Sequence, residues 1–314
     1  MEEEFYEFRT RYKGADRMMT SKIEAKQLTV VSGKGGTGKS TIIASIAYLL
    51  KDRALLADAD VDAADLYILF PPTKSETKEY KGLKKAIIDF EKCTKCNICQ
   101  ESCRFDAIDS DLFIDSFKCE GCALCYHICP VSAISMEERI SGYYYSSDTR
   151  LGKMVHAKLN PGEESSGLLV AEVRKKAKEE AEKTNKNLVL IDGSPGLGCP
   201  VISSITGSDM ALIVTEPTLS GKHDLERILK LLEQFHIPSY VIVNRFDINE
   251  EITEEIEAMC RDSTPVISRI PFNPIFTKAM IEEKSVVEME ATDDSVKNIQ
   301  ELLHQIAKFI DEKL

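Results

Sequence analysis

Residues 27–41 read QLTVVSGKGGTGKST, and this stretch decides the fold. An apolar-rich run of strand length leads into a turn with four glycines, after which apolar residues recur at Ile42, Ile43, Ile46 and Leu49 with helical spacing. Strand, glycine loop and helix in that order let backbone N–H groups turn inward around phosphate oxygens, with the positive end of the helix dipole behind them. Gly33, Gly35, Gly36 and Gly38 supply the backbone freedom, and Thr37 lies within the same cradle. At these offsets Lys39 is expected against β- and γ-phosphates, and Ser40 as a magnesium ligand. Thr41 is expected to support the α-phosphate. A glycine turn that binds no nucleotide would not need Lys and Ser at those places.

The surrounding sequence repeats the pattern of a buried strand followed by a helix. ALLADADVDAADLY (54–67) ends a second strand at Asp58 and Asp60, where open α/β folds present their ligand-binding groups. Asp58, Asp62 and Asp65 also read as solvated or helix-capping carboxylates. In NLVLIDGSPGLGCP (187–200) four apolar residues run into Asp192, a carboxylate placed to hold magnesium through water. Gly193, Pro195, Gly196 and Gly198 follow as a turn free enough to sense a γ-phosphate. MALIVTEP (210–217), SYVIVNRF (239–246) and PVISRIP (265–271) read as three further buried strands, with amphipathic helices between them. The fold class is therefore α/β: a mostly parallel P-loop NTPase sheet flanked by helices.

Lys34, directly after the first glycine, is a second lysine in the loop. GKGGTGKST resembles the deviant P-loop of the MinD, ParA and nitrogenase-iron-protein ATPases. The resemblance implies ATP hydrolysis by an ATP-dependent homodimer, or a heterodimer with a paralogue, in which Lys34 reaches the partner's nucleotide as an arginine finger would. By the same resemblance Asp60 orients the attacking water, so that Lys34, Lys39 and Asp60 form the catalytic set. Asn244 would read the adenine edge, its amide both donating and accepting, although an Asn capping the next turn is the competing reading. Backbone near Pro271 and Phe272 would close the other side of the base. The resemblance covers residues 26–88 and 141–314 and extends to DGSPGLGCPVISSITGSD and LIVTEPTLSGKHDLER. HAKLNPGEESSG (156–167) is similar to a subgroup of these ATPases but has no evident chemical role. His223 reads as a capping or surface residue.

Within that frame lie two runs of the form C-x2-C-x2-C-x3-C. Cys93, Cys96, Cys99 and Cys103 form the first; Cys119, Cys122, Cys125 and Cys129 form the second. Zinc fingers use pairs separated by long loops, whereas four thiolates within eleven residues suit the corners of a 4Fe-4S cube. One tight loop reaches three corners, and the fourth ligand must come from elsewhere. CTKCNICQESCRFDAI and CEGCALCYHICPVSAI align at a period of 26 residues, an internal repeat that implies a pseudo-two-fold module. Residues 89–140 resemble the bacterial-type two-cluster ferredoxins, a small α+β domain here inserted into the ATPase. That resemblance assigns Cys93, Cys96, Cys99 and Cys129 to one cluster, and Cys119, Cys122, Cys125 and Cys103 to the other. Arg104 stands where Pro130 stands in the second run, which affects local turn geometry and not ligation. His127 reads as a solvated or packing residue.

Composition narrows the function classes. Thiolates that bind iron need a reducing compartment, so the cytoplasm is the expected location. A net charge of −12 argues against a nucleic-acid-binding surface, since neutralising phosphates needs a basic patch and the sequence shows none. Residues 89–140 hold ten Asp and Glu against five Lys and Arg, a face suited to basic redox partners or simply to water. Residues 1–25 read as a mobile extension, and Met18 or Met19 is an alternative start to Met1. Val296, Ile299, Leu302, Leu303, Ile306 and Ile310 line one face of a C-terminal helix. That helix is slightly acidic, which favours core packing over stable membrane association. Cys199 stands alone in the glycine turn and reads as a packing residue, with a redox or metal role as the alternative; Cys260 reads as an inert buried thiol. Tyr143, Tyr144 and Tyr145 either shield a cluster or pack at the module boundary.

Three functions compete at this level. The first is an ATP-gated electron carrier to a client redox enzyme. The second is an ATPase that inserts a cluster or metallocofactor into a client. The third is a regulatory ATPase whose clusters sense redox state. A full thiolate complement for each cluster within one compact module favours the first.

Overall fold

The computed structural model describes residues 24–163, 166–260 and 264–314. Most of the expected N-terminal extension lies outside this range. Its last two residues are held: Ala25 is buried in the core, and Glu24 pairs with Lys178 at 3.0 Å.

Nine strands form one sheet in the order β11-β10-β9-β1-β8-β2-β7-β6-β3. β1 (Lys26–Ser32), β2 (Ala54–Asp58), β8 (Leu188–Pro195), β9 (Met210–Thr215), β10 (Ser239–Asn244) and β11 (Val266–Ile270) are the strands expected from the sequence. These six and β7 (Gly152–Leu159) run parallel. A parallel sheet must be covered on both faces, and β8 shows how the sequence meets that need. Leu188 and Leu190 point into one apolar cluster, Val189 and Ile191 into the opposite one. The first cluster is closed by α1 (Lys39–Leu49) and by α10 (Asp294–Lys313), whose Val296, Ile299, Leu303, Ile306 and Ile310 are buried there. The apolar face of the C-terminal helix is therefore core, and Asp293 caps its start by accepting from the Val296 N–H at 3.0 Å. Among the described residues no helix is long and apolar enough to cross a membrane.

The far edge departs from the expected pattern. The cysteine segment is reached from an edge strand, β3 (Lys74–Lys81), which comes after the short helix α2 (Leu66–Leu69) and pairs antiparallel with β6 (Ile140–Thr149). β6 in turn pairs antiparallel with β7. β3 reads KSETKEYK and buries only Tyr80, so it has the composition of a loop. Charged residues on an exposed edge also discourage pairing with other chains. The segment carried by the β3–β6 hairpin has its own small sheet, β4 (Lys85–Ile88) against β5 (Ile134–Glu137). Ala86 and Ile88, which precede residue 89, pack in its core with Ile108, Leu112 and Ile134. Tyr144 packs on the main core and Tyr145 stacks on His156 at 4.9 Å, whereas the tyrosine run lines neither cysteine cavity.

Candidate functional site

The loop between β1 and α1 carries Gly36 at φ 82° and Gly38 at φ 91°, left-handed values that favour glycine. Gly38 is also a point of close approach, because a Cβ there would lie 2.3 Å from Asn244 Nδ2. That amide donates to the Thr37 carbonyl at 2.8 Å, so the end of β10 is fastened to the loop. Asn244 Oδ1 and Thr37 Oγ1 are buried without a protein partner. Buried polar atoms are nearly always satisfied, so two orphans in one wall fit a surface shaped for a ligand. The cleft measures about 450 Å³ and runs from Gly35–Thr41 past Asp60 and Pro195 to Asn244, Pro271 and Phe272. Thr41 Oγ1 donates to the Gly38 carbonyl at 2.9 Å. The Phe272 N–H is already taken by Asp247 Oδ1 at 2.7 Å. Gly33 lies outside the cleft lining; a Cβ there would be 2.3 Å from Asp224 Cβ, so its smallness serves the packing of α7 (Leu219–Gln234) against the loop.

Behind the loop Lys39 is 6% exposed, with Nζ 2.5 Å from Asp192 Oδ1 and 3.8 Å from Asp60 Oδ2. Burial works against the ammonium, but the charge and hydrogen bond of Asp192 outweigh it and its pKa is raised. Asp60 is pushed up to about 6, by burial first, with Lys39 opposing and Asp192 adding to the rise. Asp58 is fully buried rather than solvated. Its two oxygens accept from the Asp60 and Leu66 N–H groups, both at 3.1 Å, so it ties down the loop after β2 and caps α2 from a distance. Burial and the neighbouring Asp192 charge raise its pKa to about 8.

Lys34 does not enter the cleft of its own chain. Its Nζ lies 2.5 Å from Glu216 Oε1 and donates to Ser220 Oγ at 3.3 Å. Glu216 also receives Arg245 at 3.3 Å. From sequence alone Glu216 and Arg245 carry no assigned role. The available signal was a carboxylate directly after β9, at the strand end where this fold gathers its ligand groups.

The eight module cysteines partition crosswise. One cavity, of about 290 Å³, is lined by Cys103, Cys119, Cys122 and Cys125. A narrower one of about 10 Å³ is lined by Cys93, Cys96, Cys99 and Cys129. The backbone repeats at the 26-residue period. Lys95 and Gly121, Asn97 and Ala123, and Asp106 and Ser132 all adopt positive φ. The Cys93 N–H donates to the Asp89 carbonyl and that of Cys119 to Asp115, each at 3.0 Å. Asp89 and Asp115 then donate crosswise to the Ala133 and Ala107 carbonyls at 2.7 and 2.8 Å. Backbone N–H groups also reach sulfur, Lys95 to Cys93 Sγ at 3.4 Å and Ala133 to Cys129 Sγ at 3.2 Å. Burial raises the thiol pKa of Cys99 and Cys125. Among the described residues no three His, Cys, Asp or Glu side chains converge on a single metal ion; each set of four thiols surrounds a cavity instead. Cys199 is exposed at the start of α6 (Cys199–Ile205), and Cys260 is buried, its thiol pushed up to about 11.

A glycine-loop cleft at the strand ends of a mostly parallel sheet, with a second lysine in the loop, defines an ATP-binding ATPase fold of the MinD/ParA kind. The chain belongs to the CobQ/CobB/MinD/ParA nucleotide-binding domain family, whose match spans residues 28–286. It is similar to uncharacterized protein MJ0578 of Methanocaldococcus jannaschii, at 36% identity over 227 residues, covering 71% of this chain and 79% of the relative. Among solved structures it resembles the cell division ATPase MinD of Pyrococcus furiosus, at 18% identity and a TM-score of 0.54 over 91% of this chain and 99% of the other. It also resembles the septum site-determining protein MinD of Pyrococcus horikoshii in complex with Mg-ADP, at 16% identity and a TM-score of 0.55 over 92% and 99%.

Proposed function

We propose that the protein hydrolyses ATP in the cleft and holds two 4Fe-4S clusters in the cysteine cages, so that nucleotide state gates electron delivery to a client redox enzyme. The observation that carries this reading is the crosswise grouping of the eight cysteines around two cavities in a module borne by a P-loop sheet. The module's size supports it. Its core is eight residues, two of them small alanines and two of them cysteines, and all its cysteines are free thiols. A core of that size needs a disulfide or metal staple to hold a fold.

Cys93, Cys96, Cys99 and Cys129 would hold one cluster and Cys119, Cys122, Cys125 and Cys103 the other. Each cluster when bound supplies a one-electron carrier. In the cleft, Ser40 and Asp192 would hold magnesium, and Lys39 would neutralise phosphate charge. Asp60, with its pKa near 6, is mostly ionised at neutral pH and can accept a hydrogen bond from the attacking water. Lys34 can act across an ATP-dependent dimer only after leaving Glu216, so dimerisation and release of that ion pair are one event. The Mg-ADP bound by the Pyrococcus horikoshii relative supports the nucleotide assignment. The reducing environment that thiolates require supports a cytoplasmic location.

Anaerobically purified protein should contain about eight iron and eight sulfide per chain. Zinc, or no bound metal, would remove the iron-sulfur reading. Midpoint potentials measured with no nucleotide, with ADP and with a non-hydrolysable ATP analogue should differ. Identical potentials together with transfer of iron to an apo-client would establish a maturation ATPase in place of a gated carrier.

A further inference from the structure

Lys85 is a further residue that carries no assigned role from the sequence. It opens β4 in KAII, is 8% exposed, and its Nζ donates to the Cys119 carbonyl at 2.6 Å. The same Nζ lies 3.8 Å from Glu163 Oε2, and the two side chains are 10% and 9% exposed. Glu163 belongs not to the module but to the connection between β7 and α5 (Ser166–Lys183) of the ATPase sheet. Beside it, Gly162 takes φ 77°, and a Cβ there would meet the ring of Phe117 at 2.4 Å. Phe117 comes two residues before Cys119. Gly162 and Glu163 of the connection therefore meet the second cage through Phe117 and through the buried Lys85, and both belong to the stretch 156–167 that had no chemical role.

The contacts continue inward. Gly167, in the first turn of α5, packs against α6: a Cβ there would lie 3.2 Å from Ser203 Oγ and 3.4 Å from Cys199 Cβ. α6 starts directly after the turn of Pro195 to Gly198, and Pro195 lines the nucleotide cleft. One residue earlier, Ser194 Oγ donates to the Ala59 carbonyl between Asp58 and Asp60, at 2.9 Å. Asp192, the partner of Lys39, ends the same chain of contacts. The repeat does not reproduce the tie, because the counterpart of Lys85 is Asp111, an exposed acid.

We propose that Lys85 is a positioning residue that couples the second cysteine cage to the nucleotide cleft through Glu163. A buried ammonium must keep acceptors or lose its compensation for leaving water. Any nucleotide-driven shift of the β7–α5 connection moves Glu163, and Lys85 either follows and drags the Cys119 loop or stays and loses its counter-charge. Both outcomes change the charge and hydrogen bonding around that cage, which set a cluster's potential. The potential readout rests on the iron-sulfur reading; the mechanical coupling does not.

The test uses the full-length protein, purified anaerobically, as wild type, Lys85→Met, Glu163→Gln and the double variant. Amide exchange over residues 117–123 is compared with ADP and with a non-hydrolysable ATP analogue, alongside midpoint potentials, iron content and ATPase rate. The wild type should show a nucleotide-dependent change in exchange of about fivefold or more. Each single substitution should remove it, and the double variant should add nothing further. ATPase rate and iron content should stay near wild type in Glu163→Gln, which keeps the Lys85 bond to the cage. A wild type whose 117–123 amides ignore the nucleotide, or a Lys85→Met and Glu163→Gln pair that keeps the full response, would overturn the coupling. Coupled exchange in protein that binds no iron would reject the iron-sulfur reading and leave the coupling in place. Nucleotide-dependent potentials that survive in both variants would do the reverse.

Discussion

The nucleotide cleft and the cysteine module reach their geometry by opposite routes. The cleft is assembled by the whole sheet: Asn244 reaches Thr37 across 207 residues, and Asp192 reaches Lys39 across 153. The module is assembled locally, all eight cysteines falling between Cys93 and Cys129 on two copies of one 26-residue turn pattern. The cleft therefore inherits its precision from three large apolar clusters, whereas the module has one small cluster in which two of the eight residues are themselves cysteines. A site built by a fold should survive loss of its ligand. A site that helps to build its fold should not.

The largest expected effect separates the two. With the proposed clusters in the cages, removing iron by chelation should open residues 82–139 to proteolysis while the thermal midpoint of the sheet moves by no more than about 2 °C, since that module contributes little to the main core. Joint unfolding of both regions in calorimetry would erase the distinction. Next, Lys39→Ala should lower ATP hydrolysis by about a thousandfold, the scale expected for loss of a group that stabilises transition-state charge. Iron content should be unchanged, and a parallel loss of iron would show that the module depends on the cleft.

A matched pair of glycine substitutions sharpens the contrast. Gly38→Ala forces a left-handed Cβ against Asn244, and Gly121→Ala forces one to 2.4 Å from the Lys84 carbonyl. Each should cost about 1–3 kcal/mol locally. The first should appear as weaker nucleotide binding with full iron content, the second as loss of about half the iron with normal binding.

The smallest effect is a pH dependence confined to the sheet. The folded Asp58 carboxyl keeps its proton up to about 8 against an ordinary 3.8. Its contribution to stability is thus fully present below about pH 4 and is lost as pH rises through about 8. His156 works the other way. Burial holds it at about 4 against 6.5, so its contribution is present above pH 6.5 and lost as pH falls through about 4. Between pH 6.5 and 8 the Asp58 slope dominates, at most about 1.4 kcal/mol per pH unit, and Asp60, at about 6, adds a smaller part near the lower end. Denaturant unfolding in that interval should show a decline that Asp58→Asn flattens; equal slopes in both proteins would refute it.

The two regions also differed in how far they could be read in advance. The parallel strands were legible because each is an apolar run bounded by a turn, and the P-loop because its glycines and lysines occur at fixed offsets. The crosswise grouping of the cysteines around two cavities is the one that the resemblance to two-cluster ferredoxins implies; the doubled spacing by itself marks a repeat and does not decide which thiols share a cavity. β3 was not legible, since an edge strand facing water on nearly every residue has no hydrophobic period to detect. Neither was Glu216, whose role depends on Lys34 and Arg245 arriving from two other strand ends. Lys85 is harder still. A lysine at the start of an apolar strand reads as a solvated end until the chain returns, nearly eighty residues later, with Glu163.

One feature of the edge hairpin bears on how such a chain could be built or taken apart. Lys81 and Ile140 are cross-strand partners, and Lys81 also pairs with Glu138 at 3.0 Å. The two ends of the cysteine segment thus leave the sheet side by side, and a short Asn-Gly turn can join them without disturbing any of the nine strands. Because the entropy of closing a loop rises only with the logarithm of its length, exchanging that turn for nearly sixty residues costs the host about 3 kcal/mol and not an amount proportional to the added length. The arrangement is a socket: the same pair of strand ends can receive another unit of similar end-to-end spacing, and the excised unit can be offered to the hairpin of another protein.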